Sequence, residues 1–421
     1  MASEKIIYVH ENWTSEDPNL LGQLYVSFIR GKEAFAFEYD EGWLKEHGAA
    51  YSLDPDLAMY RGRQYVPLDK NLFGLFADSC PDRWGRLLMR RKENFEAKNE
   101  GRKPRTLTES DYLLGVYDES RMGALRFSLK EDGPFLSDNQ DLATPPWVTL
   151  RTLEAASLAF ERDEDGLQEK WLRQLLAPGS SLGGARPKAT VQAPDGALWI
   201  AKFPSKNDDT NVGAWEKTAH ELARRCGLDV PESKLETFSK NGGTFLVKRF
   251  DREGSKRIHF SSAMTLLGKV DGASSKDGSS YLDLASFIRT NGAEPKKDLE
   301  ELWKRIVFSM AVTNTDDHLR NHGFLLTATG WRLSPLYDVN PVPYGDSLAL
   351  NVDEYDCTIS QELVLSVAPY FGLEDTDAEE IGRQICKTVS EGWRPVATSF
   401  GLGHSSIEEM APAFRFASEW I

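Results

Sequence analysis

Apolar and polar residues alternate in three short runs near the start of the chain: Lys5–His10, Gly22–Ile29 and Ala34–Tyr39. A period of two, with turn residues between the runs, predicts β-hairpins. The spacing becomes helical over Trp84–Glu96, where Pro81 and Asp82 supply start signals. A second helical pattern covers Thr149–Phe160 and runs into the acidic stretch Glu161–Asp165. The small residues of Pro178–Lys188 read as a loop. Two strand-like runs follow, Lys188–Gln192 and Leu198–Phe203, and Pro194-Asp195-Gly196 between them reads as a tight turn. A helix fits Ala214–Cys226, with Gly227 as its stop, and Thr244–Phe250 reads as a buried strand. From Met264 onward the pattern is mostly helical, broken by strand-like pieces at Gly323–Leu326 and Trp331–Leu333. Asp271–Ser280 (DGASSKDGSS) has the composition of a flexible loop. No internal repeat emerges. The pattern predicts an α+β chain in three regions: a β-rich segment 1–135, a mixed segment 145–263 and a largely helical segment 264–421.

Composition narrows the class. The 421 residues are 40% hydrophobic and 27% charged, which suits a folded protein with sizeable cores. No apolar run approaches the roughly 20 residues that span a bilayer. Residues 1–20 lack the long apolar stretch of a secretory signal, so the expected compartment is the cytoplasm. Cys80, Cys226, Cys357 and Cys386 stand apart with no C-x-x-C pair, which argues against a disulfide scaffold or a cysteine-rich zinc module. With 50 Lys+Arg against 65 Asp+Glu the net charge is −15, unsuited to coating nucleic acid without help. The basic run Arg83, Arg86, Arg90, Arg91 and Lys92 reads as a solvated helix face.

The segment richest in chemistry is Asn314-Thr315-Asp316-Asp317-His318-Leu319-Arg320-Asn321. Asp316 and Asn321 stand five apart, the spacing at which protein kinases hold a catalytic carboxylate and a metal-binding amide. Phosphoryl transfer needs a carboxylate to orient an attacking hydroxyl and oxygen ligands for Mg²⁺ close by. Asp338, 17 residues after Asn321 and past the short strand pair, is placed to be the second metal ligand. Upstream, Lys202 ends the strand-like Leu198–Phe203 and can reach nucleotide phosphates. Glu216, 14 residues later on the next helix, can pair with it. The Gly/Ser loop ahead of Lys188 lets backbone N–H groups approach phosphates, although it matches neither G-x-x-x-x-G-K-[ST] nor G-x-G-x-x-G. Thr244–Arg252 then leads to an adenine-binding hinge. Taken singly, Lys202 reads as a strand-end lysine, Glu216 as an exposed helix charge, Asp338 as turn chemistry and the loop as a linker. Their order lifts the joint reading above its parts. A rival reading takes His318 and His322, four apart beside Asp316 and Asp317, as a zinc pair on a helix.

At this point the chain resembles the HipA family of serine/threonine kinases, the toxin halves of bacterial toxin–antitoxin pairs. The resemblance rests on Phe37–Asp40 followed by Trp43-Leu44, on Phe73–Gly85 (FGLFADSCPDRWG), and on Ser181–Lys188 (SLGGARPK). It continues through Lys202-Phe203-Pro204, Arg249–Arg252 (RFDR), Asn314–Asn321 and Pro335–Asp338 (PLYD), all in the family's order. It implies a bilobal protein-kinase-like fold, with a β-rich N-terminal subdomain over 1–135, a kinase N-lobe over 145–263 and a helical C-lobe over 264–421. It implies Asp316 as catalytic residue and Asn321 and Asp338 as ligands of Mg²⁺. For ATP it implies Leu182, Gly183, Gly184, Ala185, Lys188, Lys202, Lys248, Arg249, Phe250 and His318, together with Asn321 and Asp338. A loop serine, Ser181 or its neighbour Ser180, would be an autophosphorylation site. A phosphoserine there, carrying about −1.5 to −2 charges, would repel ATP phosphates and favour an open loop.

The resemblance further implies a helix-turn-helix antitoxin like HipB as partner, through which DNA would be reached, and a protein substrate such as an aminoacyl-tRNA synthetase. Two other functions fit the residues: a kinase-like binding module acting as an antitoxin-bound corepressor, and a small-molecule kinase.

Overall fold

The three alternating runs near the N terminus become one antiparallel sheet. Its strands are β1 (Lys5–Glu11), β2 (Asn19–Ile29), β3 (Lys32–Tyr39), β4 (Gln64–Tyr65) and β5 (Leu125–Ser128), in the spatial order β4-β3-β2-β1-β5. Alternate residues Ile7, Val9, Leu24, Val26, Phe35 and Phe37 are buried, as a half-covered sheet requires. The β2–β3 connection is two residues long, with Ile29 facing Lys32, and both Arg30 and Gly31 have positive φ. That is a primed turn, whose twist matches the flanking strands.

The computed structural model describes residues 4–48, 51–138, 144–162, 175, 184 and 186–421. The chain divides into two units, Met1–Lys206 with Lys248–Ser261, and Asn207–Val247 with Ser262–Ile421. These boundaries cut through the 145–263 segment. Among the described residues, no helix is long and apolar enough to cross a membrane.

In the first unit, the helix Arg83–Asn99 starts where Pro81-Asp82 announced it, with the Asp82 carboxylate accepting Gly85 N–H at 2.8 Å. A second antiparallel pair, β6 (Lys188–Gln192) and β7 (Leu198–Lys202), is joined through the Pro194-Asp195-Gly196 turn. In the second unit, the helix Val212–Arg225 ends just ahead of Gly227, at φ 76°. It packs directly on the strand pair β8 (Ser233–Ser239) and β9 (Gly242–Lys248). A Cβ on Gly213 would lie 2.1 Å from the Gly243 carbonyl oxygen, so only glycine permits this approach. The strand β8 carried no apolar signal because its side chains are mostly half-exposed.

The rest of the second unit is mainly helical, with the hairpin Gly323–Thr327/Gly330–Leu333 as forecast. Its centre is the helix Pro295–Ala311, which has Pro at its first position and buries Leu299, Leu302, Trp303, Ile306, Val307 and Phe308. Each such side chain contributes about 1.5–3 kcal/mol over its exposed state. The α+β class expected from the sequence is what the fold shows. Asp271–Ser280 departs from its composition. Ser274 and Asp277 form a reciprocal capping box around a 3₁₀ turn, and Gly278 closes it at φ 78°. The same short polar side chains that suggested flexibility bond their own backbone instead.

Candidate active site

The helix Pro295–Ala311 delivers the chain into the candidate catalytic loop. Asn314 N–H bonds the Ser309 carbonyl at 2.8 Å and Thr313 N–H bonds the Met310 carbonyl at 3.2 Å. This is the Schellman pattern, and its left-handed position, normally glycine, is Thr313 at φ 48°. A β-branched residue is strained there. The Thr313 hydroxyl donates to Ala413 O at 2.8 Å, which helps hold it.

Residues 314–322 form a loop of turns. Asp316 is exposed on it. Asn321 Nδ2 donates to the Asp316 carbonyl at 2.9 Å, and His318 N–H donates to the same oxygen at 2.9 Å. The two residues five apart are thus held together through one carbonyl. The segment bearing Asp338 is stitched to this loop on both sides. Tyr337 Oη donates to Arg320 O at 2.8 Å, Asn340 N–H to Asn314 Oδ1 at 3.3 Å, and Val342 N–H to Thr313 O at 3.2 Å. Asp338 sits between these ties at φ 60°, a left-handed conformation that Asp tolerates better than most residues. His318 is half-buried, and its Nδ1 is enclosed without a hydrogen-bond partner among the described residues. Glu216 is 97% buried on the helix Val212–Arg225, unlike an ordinary surface helix charge.

Asp317 is the residue whose importance the sequence did not reveal. It is buried, and its carboxylate accepts from Tyr281 Oη at 2.6 Å and Ser309 Oγ at 3.3 Å, with His322 Nε2 at 3.0 Å. Burial alone would push its pKa up. The adjoining His322 and the Tyr281 hydroxyl reverse that and hold the carboxyl below the usual range. Burial and the facing carboxylate push the Tyr281 hydroxyl well above its ordinary pKa, so it remains a donor. His322 therefore faces inward, and with 314–322 in a loop the zinc pair on a helix does not form. Among the described residues, no group of three His, Cys, Asp or Glu side chains is arranged to hold a metal.

In the first unit, Lys188 and Lys202 lie directly opposite each other across β6 and β7. Lys188 is 3% exposed, and its ammonium lies 3.1 Å from Asp82. The Trp84 indole N–H donates to Lys188 O at 3.1 Å, so the Pro81–Gly85 motif fixes both ends of this lysine. Two lysines in register repel unless anions face them. Asp82 supplies one. Gly184, at φ 95°, passes so near that a Cβ there would be 3.1 Å from Lys188 Nζ.

Lys248 ends β9, and Arg249 and Phe250 follow it. The Arg249 guanidinium bonds Asp251 Oδ1 at 2.8 Å and Oδ2 at 2.6 Å, Ser120 O at 2.6 Å and Arg121 O at 3.1 Å. Its side chain is thus turned into the unit's interior, and the Phe250 ring meets Phe260 with centroids 6.1 Å apart. Ser180, Ser181, Leu182, Gly183 and Ala185 lie outside the described residues.

Asn321 and Asp338 are oxygen donors of the kind Mg²⁺ takes. The Asn321 bond to Asp316 O fixes its amide with Oδ1 as the end available to a cation, and the Tyr337–Arg320 bond keeps Asp338 beside the same loop. The donor set fits the ion.

Comparison with known proteins decides the family. The HipA-like C-terminal domain matches residues 180–393, just over half of the 421 residues. The chain belongs to the HipA-like C-terminal domain family. Two curated relatives carry the word kinase in their names. One, from Haemophilus influenzae, is 28% identical over 188 residues, covering 39% of this chain and 54% of its own length. The other, from Sinorhizobium fredii, is 30% identical over 173 residues, covering 37% of this chain and 41% of its own length. The chain thus spans about half the length of the curated relatives it matches. Among solved structures, HipA of Shewanella oneidensis MR-1, in complex with HipB and operator DNA, aligns over 98% of this chain and 96% of its own. The TM-score is 0.64 at 17% identity, a likeness of fold.

Proposed function

We propose that this HipA-like protein is an ATP-dependent serine/threonine protein kinase, the toxin component of a toxin–antitoxin pair. The observation that carries the reading is the loop in which exposed Asp316 and buried Asn321 are locked together through one carbonyl, with Asp338 tied alongside. An exposed carboxylate so held can accept the proton of a serine or threonine hydroxyl and aim its oxygen at the γ-phosphorus. Asn321 and Asp338 would hold Mg²⁺, which when bound offsets negative charge on the phosphates. Lys202 and Lys188 are assigned to those phosphates, and Glu216 to Lys202. His318, whose Nδ1 has no hydrogen-bond partner among the described residues, is assigned to the nucleotide, and the segment from Lys248 to Phe250 to the adenine. Rate would come from positioning and electrostatics.

The family resemblance adds two finer parts. Leu182–Ala185 would cover the phosphates, and Ser181 or Ser180 would take phosphate and silence the enzyme. The likeness of fold to a HipA held by HipB supports a HipB-like antitoxin as partner, with DNA reached through it, which suits the charge of −15.

The test is intact mass and peptide mapping before and after Mg-ATP, on wild type and Asp316→Asn. The wild type should gain phosphate at Ser181 or Ser180. The variant should lose roughly 10²–10⁴-fold in rate while melting like the wild type. Absence of phosphate in both proteins, with the purified wild type also unmodified, would sink the autophosphorylation claim.

A further inference from the structure

Behind the exposed Asp316 lies a cluster that the proposed chemistry does not use. The Asp317 carboxylate is gripped by the first residue of one helix and by a residue in the last turn of another. Tyr281 opens the helix Tyr281–Asn291, and Ser309 closes the helix Pro295–Ala311. His322 supplies the third contact from the far end of the loop, and its ring packs edge-on against Tyr281 with centroids 5.7 Å apart. All four side chains are buried. The helix Tyr281–Asn291 is itself anchored at its start, where Tyr281 N–H bonds Asn351 O at 2.9 Å.

The peptide group joining Asp316 to Asp317 is therefore held at two points. Its carbonyl oxygen takes bonds from Asn321 Nδ2 and His318 N–H. Its other end carries the anchored Asp317 side chain. Because a peptide group is planar, fixing both points fixes where the Asp316 Cα sits, the point from which its side chain leaves the backbone. Rotation about its Cα–C bond and the side-chain torsions remain.

We infer that Tyr281 and His322 are positioning residues: acting through buried Asp317, they set the aim of Asp316 and so control turnover rather than nucleotide affinity. This rests on the kinase reading above. A merely structural cluster would change stability and leave the rate per folded molecule alone. A nucleotide-binding role would change affinity. Positioning changes kcat while KM for ATP and nucleotide affinity stay put.

The experiment uses the full chain, ATP labelled on its γ-phosphate and Mg²⁺. It counts label moved to the protein or released as phosphate, and it adds melting curves and titration with a fluorescent ATP analogue. Tyr281→Phe, which removes one donor and keeps the ring, should lower kcat by about tenfold with KM for ATP and analogue affinity within about twofold of wild type. His322→Gln, which places a polar N–H group near the carboxylate, should retain more rate than His322→Leu. The inference is overturned if Tyr281→Phe turns over like wild type, if the loss follows the fall in melting temperature, if affinity falls in step with rate, or if His322→Leu equals His322→Gln. If wild type and Asp316→Asn alike bind the analogue and move no label, the kinase reading itself fails and takes the inference with it.

Discussion

The two units each bury a charged cluster, and the clusters are built on opposite plans. In the first unit, Asp118 and Asp251 meet Arg126, Arg257, Arg249 and Arg252, two carboxylates against four guanidiniums. The surplus positive charge is met by backbone carbonyls of Asp118, Glu119, Ser120, Arg121 and Gly123. Burial alone would push the Asp251 carboxyl up, but Arg249 and Arg252 outweigh it and hold it down at about 2. Burial in turn pushes the Arg252 guanidinium down to about 9. In the second unit, a single carboxylate, Asp317, accepts from two hydroxyls and lies 3.0 Å from an imidazole nitrogen. The first cluster ties loops near 118–126 to the segment 249–257. The second lies one residue from an exposed candidate base. Buried charge serves assembly in one place and aim in the other, and the difference is readable in what a broken contact would change.

Removing one partner from a buried ion pair leaves the other charge unmet. Asp118→Asn would strip the carboxylate from Arg126 and Arg257, both within 3.0 Å of it. The expected loss is about 3–5 kcal/mol of stability, read as a lower denaturant midpoint. Label transfer per folded molecule should be unchanged. If the rate fell and the midpoint held, the contrast between the clusters would be reversed.

Acid should press on the first unit as well. His259 is fully buried, stacked on Trp13 at a centroid distance of 4.4 Å, and burial pushes its pKa down to about 3. The unfolded chain takes up this proton below about 6.5 and the folded chain does not, so stability falls as pH drops from there toward 3. Asp54 works the other way. Burial raises its carboxyl to about 6, so the folded chain holds a proton that the unfolded one releases between about 3.8 and 6, and stability rises there as pH drops. The wild-type profile is therefore flattened by compensation. His259→Phe removes only one side of it. Between pH 7 and pH 5 its stability relative to wild type should improve by about 2 kcal/mol, from about 1.4 kcal/mol per pH unit below 6.5. A parallel pair of curves would show that His259 is protonated in the folded state.

What could be read from the sequence was what is local. Asp316 and Asn321 are five residues apart and joined by a bond that spans those five, so the motif and its geometry coincide. Asp82 was legible as a helix start for the same reason. Its second role, opposite Lys188, was not, because its partner is more than a hundred residues away and a lysine at a strand start reads as surface. Tyr281 and Asp317 are 36 residues apart, and each alone reads as something ordinary: a core aromatic, and the second of two adjacent carboxylates. Nothing in the pattern says which of two neighbouring aspartates turns inward. Arg249 was legible as part of a motif, yet its guanidinium meets Ser120 and Arg121, 129 and 128 residues earlier. Glu216 shows the reverse case, where the order of motifs raised a residue that helix composition alone would have left at the surface.

The smallest predicted effect sharpens the contrast at the entrance to the candidate catalytic loop. Thr313 occupies a left-handed position at φ 48° where glycine is the ordinary choice. Thr313→Ala keeps the strain and loses the hydroxyl bond to Ala413 O, whereas Thr313→Gly loses the same bond and relieves the strain. The glycine variant should therefore be more stable than the alanine variant by about 1 kcal/mol. Because both lack the hydroxyl, the difference between them isolates the backbone. If strain here only marks a helix end, the two should transfer phosphate equally fast per folded molecule. If it helps to hold the loop that carries Asp316, the glycine variant should be the more stable and the slower of the two. Loop rigidity would then belong, with Asp317, to the plan that aims the carboxylate.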